Sequence, residues 1–389
     1  MKQTTTRDGS SSVPSAPENS MQTMKEIRWA RRYNQMCLFI LFAVVSASSF
    51  SAFFDKWHFR EPGGRGFDPV AGFDQIMDGT AWRPYIYRQL LPDLTYGIDG
   101  ALPVNAIGRH VSEDSRHRVI VALDLAGKTH PVQYITMYLI LYLSALLGTY
   151  ALYWVCRAAN ISPLASVFTP VIFMLLFPLF GVKGGYYFDY PELLFMALAV
   201  WIALGFDWWW IIPIAALGAW NKESFLLFVL TLYPLLRRRN SRVTSLLAVG
   251  VLAGVCAAVY LPIRMHFAHN PGGTVEFHLK DQIDFFVHPF RLATWTDRTY
   301  GLLLPALSGP IPILLLIWTV WRAWRHLPLW LKRHAQIAAI INIPLFLLFC
   351  QPGEFRDLSM LSIVFLLILA TNLQAWIESL GPKPLQSTA

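Results

Sequence analysis

"WWWIIPIAALGAWNKESFLLFVLTLYPLLRRR", residues 208–239, decides how this chain is built. Two apolar runs, 208–219 and 225–236, flank the polar tetrad Asn221, Lys222, Glu223 and Ser224, and Arg237, Arg238 and Arg239 close the stretch. A dozen helical residues reach only about 18 Å, whereas the apolar core of a bilayer is about 30 Å thick. The spacing therefore predicts two short helices that meet at the tetrad within the membrane, or a short pair that thins the bilayer locally. Either way the chain returns to the side where the arginines sit. A polar break between half-helices is tolerated at membrane depth where it lines a cavity. The plain alternative is an external turn, with Lys222 and Glu223 both in water.

The rest of the chain follows the same logic. Of its 389 residues 55% are hydrophobic and 14% charged, against about 25% charged in soluble domains. Further apolar stretches lie at 36–54, 132–156, 163–181, 190–206, 243–263, 302–321, 336–350 and 358–377. With the two short runs these give about ten membrane segments: an all-α, polytopic transmembrane helical bundle. Its first outer loop, 55–130, is long enough to hold juxtamembrane helices. Lys25, Arg28, Arg31 and Arg32 precede the first run, and Arg157, Arg237 to Arg239, Arg242 and "RAWRHLPLWLKRH" fall on the same side of the alternation. Positive residues favour the cytoplasmic side, so both termini are expected there. The net charge of +8 is explained by this placement, and no nucleic acid is expected as a partner. The four cysteines (Cys37, Cys156, Cys256, Cys350) lie in apolar runs and form no close pair, which indicates neither a disulfide framework nor a zinc site. Residues 1–35 are expected to be a disordered cytoplasmic tail, 36–377 the membrane domain and 378–389 a second cytoplasmic tail. The first apolar run begins too deep for a typical signal peptide and reads as an uncleaved helix.

Ionisable groups in or beside membrane segments are costly and often functional. Four clusters stand out. "GFDPVAGFDQIMDGTAWRPYIYRQLLP", residues 66–92, sets Asp68, Asp74 and Asp78 before Arg83, Tyr87 and Arg88. Phe73, Ile76 and Met77 have helical spacing, so Asp74 and Asp78 would share a face; a solvated surface helix is the plain alternative. "GGYYFDYPELLF", residues 184–195, puts Asp189 and Glu192 at the mouth of a span, where acidic groups also simply complement a helix dipole. The tetrad at 221–224 is the third cluster. "EFRDL", residues 354–358, holds Glu354, Arg356 and Asp357, in a turn that also reads as an exposed ion pair. His266, His269, His278 and His288 read as solvated. All four clusters map to the outer side and suggest one polar site, with carboxylates to take a proton and cations to hold an anion. Neither GxGxxG nor a Walker A lysine is present.

The pattern resembles the multi-span glycosyltransferases of the GT-C class over residues 36–377. Three motifs carry the resemblance: "FDQIMDGTAWRPYIYRQLLP" (73–92), "GAWNKESFLLFVLTLYP" (218–234) and "GEFRDLSML" (353–361). The resemblance implies a bacterial inner-membrane enzyme set among membrane lipids. It would move a sugar from a polyprenyl-phosphate-linked donor to a glycan, lipid or protein acceptor of the cell envelope. It makes Asp74 the general base, a carboxylate placed to accept the acceptor's hydroxyl proton, with Asp68 and Asp78 as the other candidates. Arg83, Arg88, Lys222 and Arg356 become the cations for the leaving phosphate, and Tyr87, Asp189, Glu192, Asn221, Glu223 and Glu354 support them. The chain lacks the adjacent acidic pair of many members. That leaves open which aspartate is the base and whether a divalent cation takes part; no other cofactor and no protein metal centre is implied. A transporter or flippase for a lipid-linked or anionic solute also fits the broken helices, though less well the long first loop. A non-catalytic subunit of a cell-envelope complex is the third reading.

Overall fold

In the computed structural model the described residues are 18–60, 70–101, 129–181, 185–273, 275–288, 296–305 and 309–380. They are nearly all helical. Helix α1 (Glu18–Trp57) runs into a short 3-10 turn at His58–Arg60. Residues 18–35, expected as part of an unstructured tail, are thus helical. The stretch after Pro17 contains no glycine or proline up to the first span, so nothing local stops the helix from extending beyond its apolar part.

The first loop carries α2 (Phe73–Met77), a 3-10 turn at Tyr85–Tyr87 and α3 (Leu90–Ala101). Then come α4 (Pro131–Ala158), α5 (Pro163–Phe180) and α6 (Asp189–Gly205). The quoted stretch forms α7 (Ile211–Asn221), α8 (Ser224–Thr231) and α9 (Tyr233–Leu236). Beyond it lie α10 (Arg242–His266), α11 (Leu279–Val287) and an antiparallel hairpin of β1 (Thr296–Thr299) and β2 (Leu302–Pro305). The chain ends with α12 (Pro310–Trp324), α13 (Leu329–Phe349), a 3-10 segment at Phe355–Leu361 and α14 (Ser362–Leu380).

Among the described residues five segments are long and apolar enough to cross a membrane: Arg32–Trp57, Pro131–Ala158, Pro163–Phe180, Arg242–His266 and Phe355–Leu380. One expected span is corrected. The run 302–321 does not start as a helix, because Leu302–Pro305 is a strand paired with Thr296–Thr299, and α12 begins only at Pro310. Hydropathy cannot see this boundary; the prolines can, since proline lacks an N–H and is at home in the first helical turn.

The core is a set of helix contacts, α4 on α6, α1 on α4 and α5, and α7 on α6 and α10. Tyr134, Leu141, Phe173, Tyr190, Ala197 and Ile211 are fully buried within it. The first loop is seated by rings: Phe73 of α2 lies edge-on to Tyr134 at 5.0 Å, and Phe59 lies 4.9 Å from the same tyrosine. Offset and edge-on ring pairs of this kind contribute about 0.5–1.5 kcal/mol each beyond their buried area.

The quoted stretch is neither one straight helix nor two full spans. Lys222 has extended backbone, φ −159° and ψ 137°, which ends α7. The chain then doubles back, so that the Phe225 ring lies directly on Gly218. From there it descends along α13: the Thr231 carbonyl meets His334 Nδ1 at 2.7 Å, and Arg238 lies 4.7 Å over the Trp330 ring. The reversal needs a glycine at 218, because a Cβ there would sit 2.5 Å from the Phe225 ring. Gly218→Ala should therefore destabilise the protein by about 1–2 kcal/mol, overpacking outweighing the gain in helix propensity. Adding Phe225→Ala should remove that penalty of the alanine. Thermal unfolding of the four variants of this cycle in detergent checks it; equal effects of Gly218→Ala with and without Phe225 would show that the close approach is not the cause.

Candidate functional site

At one end of the bundle four pieces of chain converge: the segment 83–89, the start of α6, the break between α7 and α8, and the 3-10 segment before α14. Each brings charge to a place with little water. Glu192, 3% exposed, accepts from Lys222 Nζ at 2.9 Å, Ser224 Oγ at 2.6 Å and Ser359 Oγ at 2.8 Å. Lys222 also donates to Asp357 Oδ1 at 3.2 Å. Arg88 grips Glu223 with two bonds, Nε to Oε2 at 3.2 Å and Nη2 to Oε1 at 2.6 Å, the forked geometry that makes arginine–carboxylate pairs strong. Arg356 reaches Asp189 at 3.4 Å, Glu354 at 3.4 Å and Asp357 at 3.5 Å.

Rings complete the shell. Tyr186 and Phe188 stack at 4.9 Å. Arg88 lies 4.2 Å and Lys222 5.3 Å from the centre of Phe188, and Arg356 lies 4.4 Å from that of Tyr186. Desolvated cations over ring faces gain about 2 kcal/mol. Backbone contacts fix the frame. Asp189 accepts from the Tyr186 N–H at 2.8 Å, Asn221 Nδ2 donates to the Phe188 carbonyl at 3.0 Å, and the Tyr187 hydroxyl donates to the Arg88 carbonyl at 3.1 Å. Burial alone would lower the Arg88 pKa; the Glu223 carboxylate more than offsets this and raises it. Burial pushes the Glu354 carboxyl up, against the pull of Arg356.

Three cations thus face five carboxylates. Beside this network lies a cavity of about 370 Å³. Its walls, from α5, α6, α12, α13 and α14, are apolar and include Phe173, Phe177, Leu193, Val320 and Phe365. Asp189, Glu192, Arg356 and Ser359 give it one polar end. The Nε of Arg356 is buried and makes no hydrogen bond. Among the described residues no group of three or more His, Cys, Asp or Glu side chains is arranged to hold a metal ion.

The structure brings together Arg88, Lys222, Arg356, Asp189, Glu192, Asn221, Glu223 and Glu354 from the sequence reading. Lys222 is not in an external turn: it is 5% exposed. The first-loop acids stand apart. Asp74 lies in the single turn of α2, and its Oδ1 is buried without a partner. Asp78 caps α2 one turn after Asp74, its N–H donating to the Asp74 carbonyl at 2.8 Å, so the backbone keeps the i, i+4 register that the spacing implies. The Asp78 carboxylate is turned to His130 at 2.8 Å. Arg83 donates to the Gly272 carbonyl at 2.6 Å. Tyr87 is buried, edge-on to Tyr260 at 6.1 Å. Among the described residues no hydrogen bond or ion pair links Asp74, Asp78 or Arg83 to the network around Lys222. Asp68 lies outside the described residues. Asp357, Ser224, Ser359 and the Tyr186–Phe188 pair were given no role from sequence. Asp357 and Ser224 stand beside predicted residues in the quoted motifs, and that adjacency was the available signal.

No family model matches the sequence, and neither a curated protein nor a solved structure does.

Removing one partner of a buried ion pair leaves a charge with neither water nor counter-ion, which typically costs about 3–5 kcal/mol. Lys222→Met should destabilise the protein by about that amount, and Lys222→Met with Glu192→Gln should cost much less than the sum of the single changes. Denaturant unfolding of the purified protein in detergent measures both. Additive effects would mean that the two groups do not act as a pair.

Proposed function

We propose that the protein is an integral-membrane glycosyltransferase that takes a sugar from a polyprenyl-phosphate donor and passes it to a glycan, lipid or protein acceptor of the bacterial cell envelope. The observation that carries this reading is the cavity: an apolar space with Arg356 in its lining, beside Asp189, Glu192 and Ser359. A lipid with an anionic head has that polarity, and a phosphate oxygen is the natural partner of a desolvated guanidinium.

In this reading Arg356 makes the first contact with the donor phosphate. Arg88 is held along its Nε–Nη2 edge by Glu223, and Lys222 lies between Glu192 and Asp357. Both therefore act by field and by frame, favouring negative charge on the leaving phosphate without releasing their carboxylates. Asp74 is the general base. Its carboxylate takes the acceptor's hydroxyl proton, the hydroxyl oxygen attacks the anomeric carbon, and the bond from that carbon to the phosphate oxygen breaks with its electron pair leaving on the phosphate. Its buried Oδ1 makes no hydrogen bond, so no partner of that oxygen has to be displaced.

The ten-segment map belongs to the same proposal. Arg157, Arg237 to Arg239, Arg242 and the basic stretch 322–333 all lie at ends of helices remote from the ion network. With positive residues inside, both termini are cytoplasmic and the network faces outward in the inner membrane. The helix break at a buried lysine also suits a transporter, so the decisive test separates chemistry from movement.

Purified protein is incubated with a panel of polyprenyl-phosphate sugars, and release of the phosphate carrier is followed. Asp74→Asn should lower turnover by about 10²–10⁴ with donor affinity retained. Arg356→Lys keeps the charge but loses the planar fork, so it should weaken donor binding and leave some turnover, with Arg356→Ala worse in both. Asp55→Asn is the unaffected control. Full activity of Asp74→Asn removes the assigned base. Passage of the intact sugar lipid across vesicles, with no carrier released from any donor, replaces the enzyme by a transporter.

A further inference from the structure

Helix α11 (Leu279–Val287) takes no part in the ion network, yet its residues are sorted with care. At 100° per residue three faces separate. Gln282 points into the protein, 2% exposed, and its Nε2 donates to the Cys350 carbonyl at 3.0 Å. Lys280, Asp281 and Asp284 form an exposed charged face. Ile283, Phe286 and Val287 form an apolar face that is 55%, 61% and 66% exposed. Phe277, just before the helix, is 65% exposed as well. Large apolar side chains left in the open together mark a contact surface.

The height of α11 in the molecule is set by its anchors. The His278 N–H donates to the Leu348 carbonyl at 2.8 Å, and the Phe277 ring lies edge-on to Phe349 at 6.2 Å. One turn back, Phe346 meets Phe355 at 6.1 Å, and Phe355 is the first residue of the membrane-crossing segment Phe355–Leu380. α11 is therefore held level with the end of a span, and Phe277 and Phe349, 65% and 36% exposed, extend its apolar surface at the end of α13.

We propose that α11 is an interfacial helix whose occupant is the lipid surface: Ile283, Phe286, Val287 and Phe277 enter the boundary between headgroups and acyl chains, while Lys280, Asp281 and Asp284 stay among the headgroups. Helices of this kind bury their apolar face about 5–10 Å into that boundary. The charged face has one cation and two anions, so attachment depends on apolar contact and works on zwitterionic lipid. This inference is independent of the glycosyltransferase reading.

The test uses the full chain in phosphatidylcholine vesicles. A spin label carried by an encoded unnatural amino acid is placed singly at 281, 283, 284, 286 and 287, and its collisions with oxygen and with a water-soluble nickel chelate are compared. The ratio of oxygen to nickel collisions should be several-fold higher at 283, 286 and 287 than at 281 and 284. A second measurement needs no substitution: a phospholipid with a photoreactive acyl chain should cross-link the wild-type protein within residues 277–287. Equal nickel access at all five positions, with no cross-link in that segment, overturns the proposal. Protection of 283, 286 and 287 from both collision reagents also overturns it, because the face is then covered by protein, whether a second copy or a partner.

Discussion

The ammonium of Lys222 cannot stay in an apolar bundle without counter-charge, and the arrangement of this molecule depends on how that requirement is met. Its partners come from two separate helical segments, Glu192 in the first turn of α6 and Asp357 in the 3-10 segment that opens the last span. Holding one cation therefore ties three elements together at a fixed height. The same residue has the extended backbone that ends α7. Local chain reversal and long-range charge pairing thus act at one position. Ser224 and Ser359 fill the remaining lone pairs of Glu192, which a buried ion pair needs if attraction is to match the loss of hydration.

Around this pair the arginines repeat the same solution at the next positions outward. Arg88 brings in the first loop through Glu223, and Arg356 brings in Asp189 and Glu354. The stacked rings of Tyr186 and Phe188 lie against all three cations. The short sequence Tyr186 to Glu192 therefore supplies two of the five carboxylates, Asp189 and Glu192, as well as the aromatic faces. The cavity adjoins Arg356, whose buried Nε makes no hydrogen bond. An apolar space with a few fixed polar groups at one end is the usual form of a preformed ligand site.

Much of the fold was legible because its causes are local. The runs at 132–156 and 163–181 became α4 and α5 within two residues at each end. Uninterrupted apolar sequence with proline at the start leaves little else for the chain to do in lipid. Legibility failed where hydropathy and backbone disagree. Leu302, Leu303 and Leu304 look like the start of a span, but Pro305 and the Gly309–Pro310 pair separate them from α12, and they form a strand. The length of α1 was missed for the opposite reason, since a polar stretch without breakers has no signal of its own for helix or coil. Asp74 and Asp78 stand one turn apart as their spacing implies, but only the fold sets their surroundings: the Asp78 carboxylate meets His130 and the Asp74 Oδ1 meets no partner.

The sequence by itself determined that the chain is helical and membrane-bound in character, where the basic residues gather, and that the helix must break at Asn221 to Ser224. Those follow from composition and from neighbours a few residues apart. Only the tertiary structure decided which charges meet. Lys222 and Glu192 are 30 residues apart, Lys222 and Asp357 135, Arg88 and Glu223 135, and Arg356 and Asp189 167. No local pattern encodes such pairs. They are selected by helix packing, because a buried charge accepts whatever opposite charge the fold delivers, and the fold places Asp74 and Asp78 outside that set.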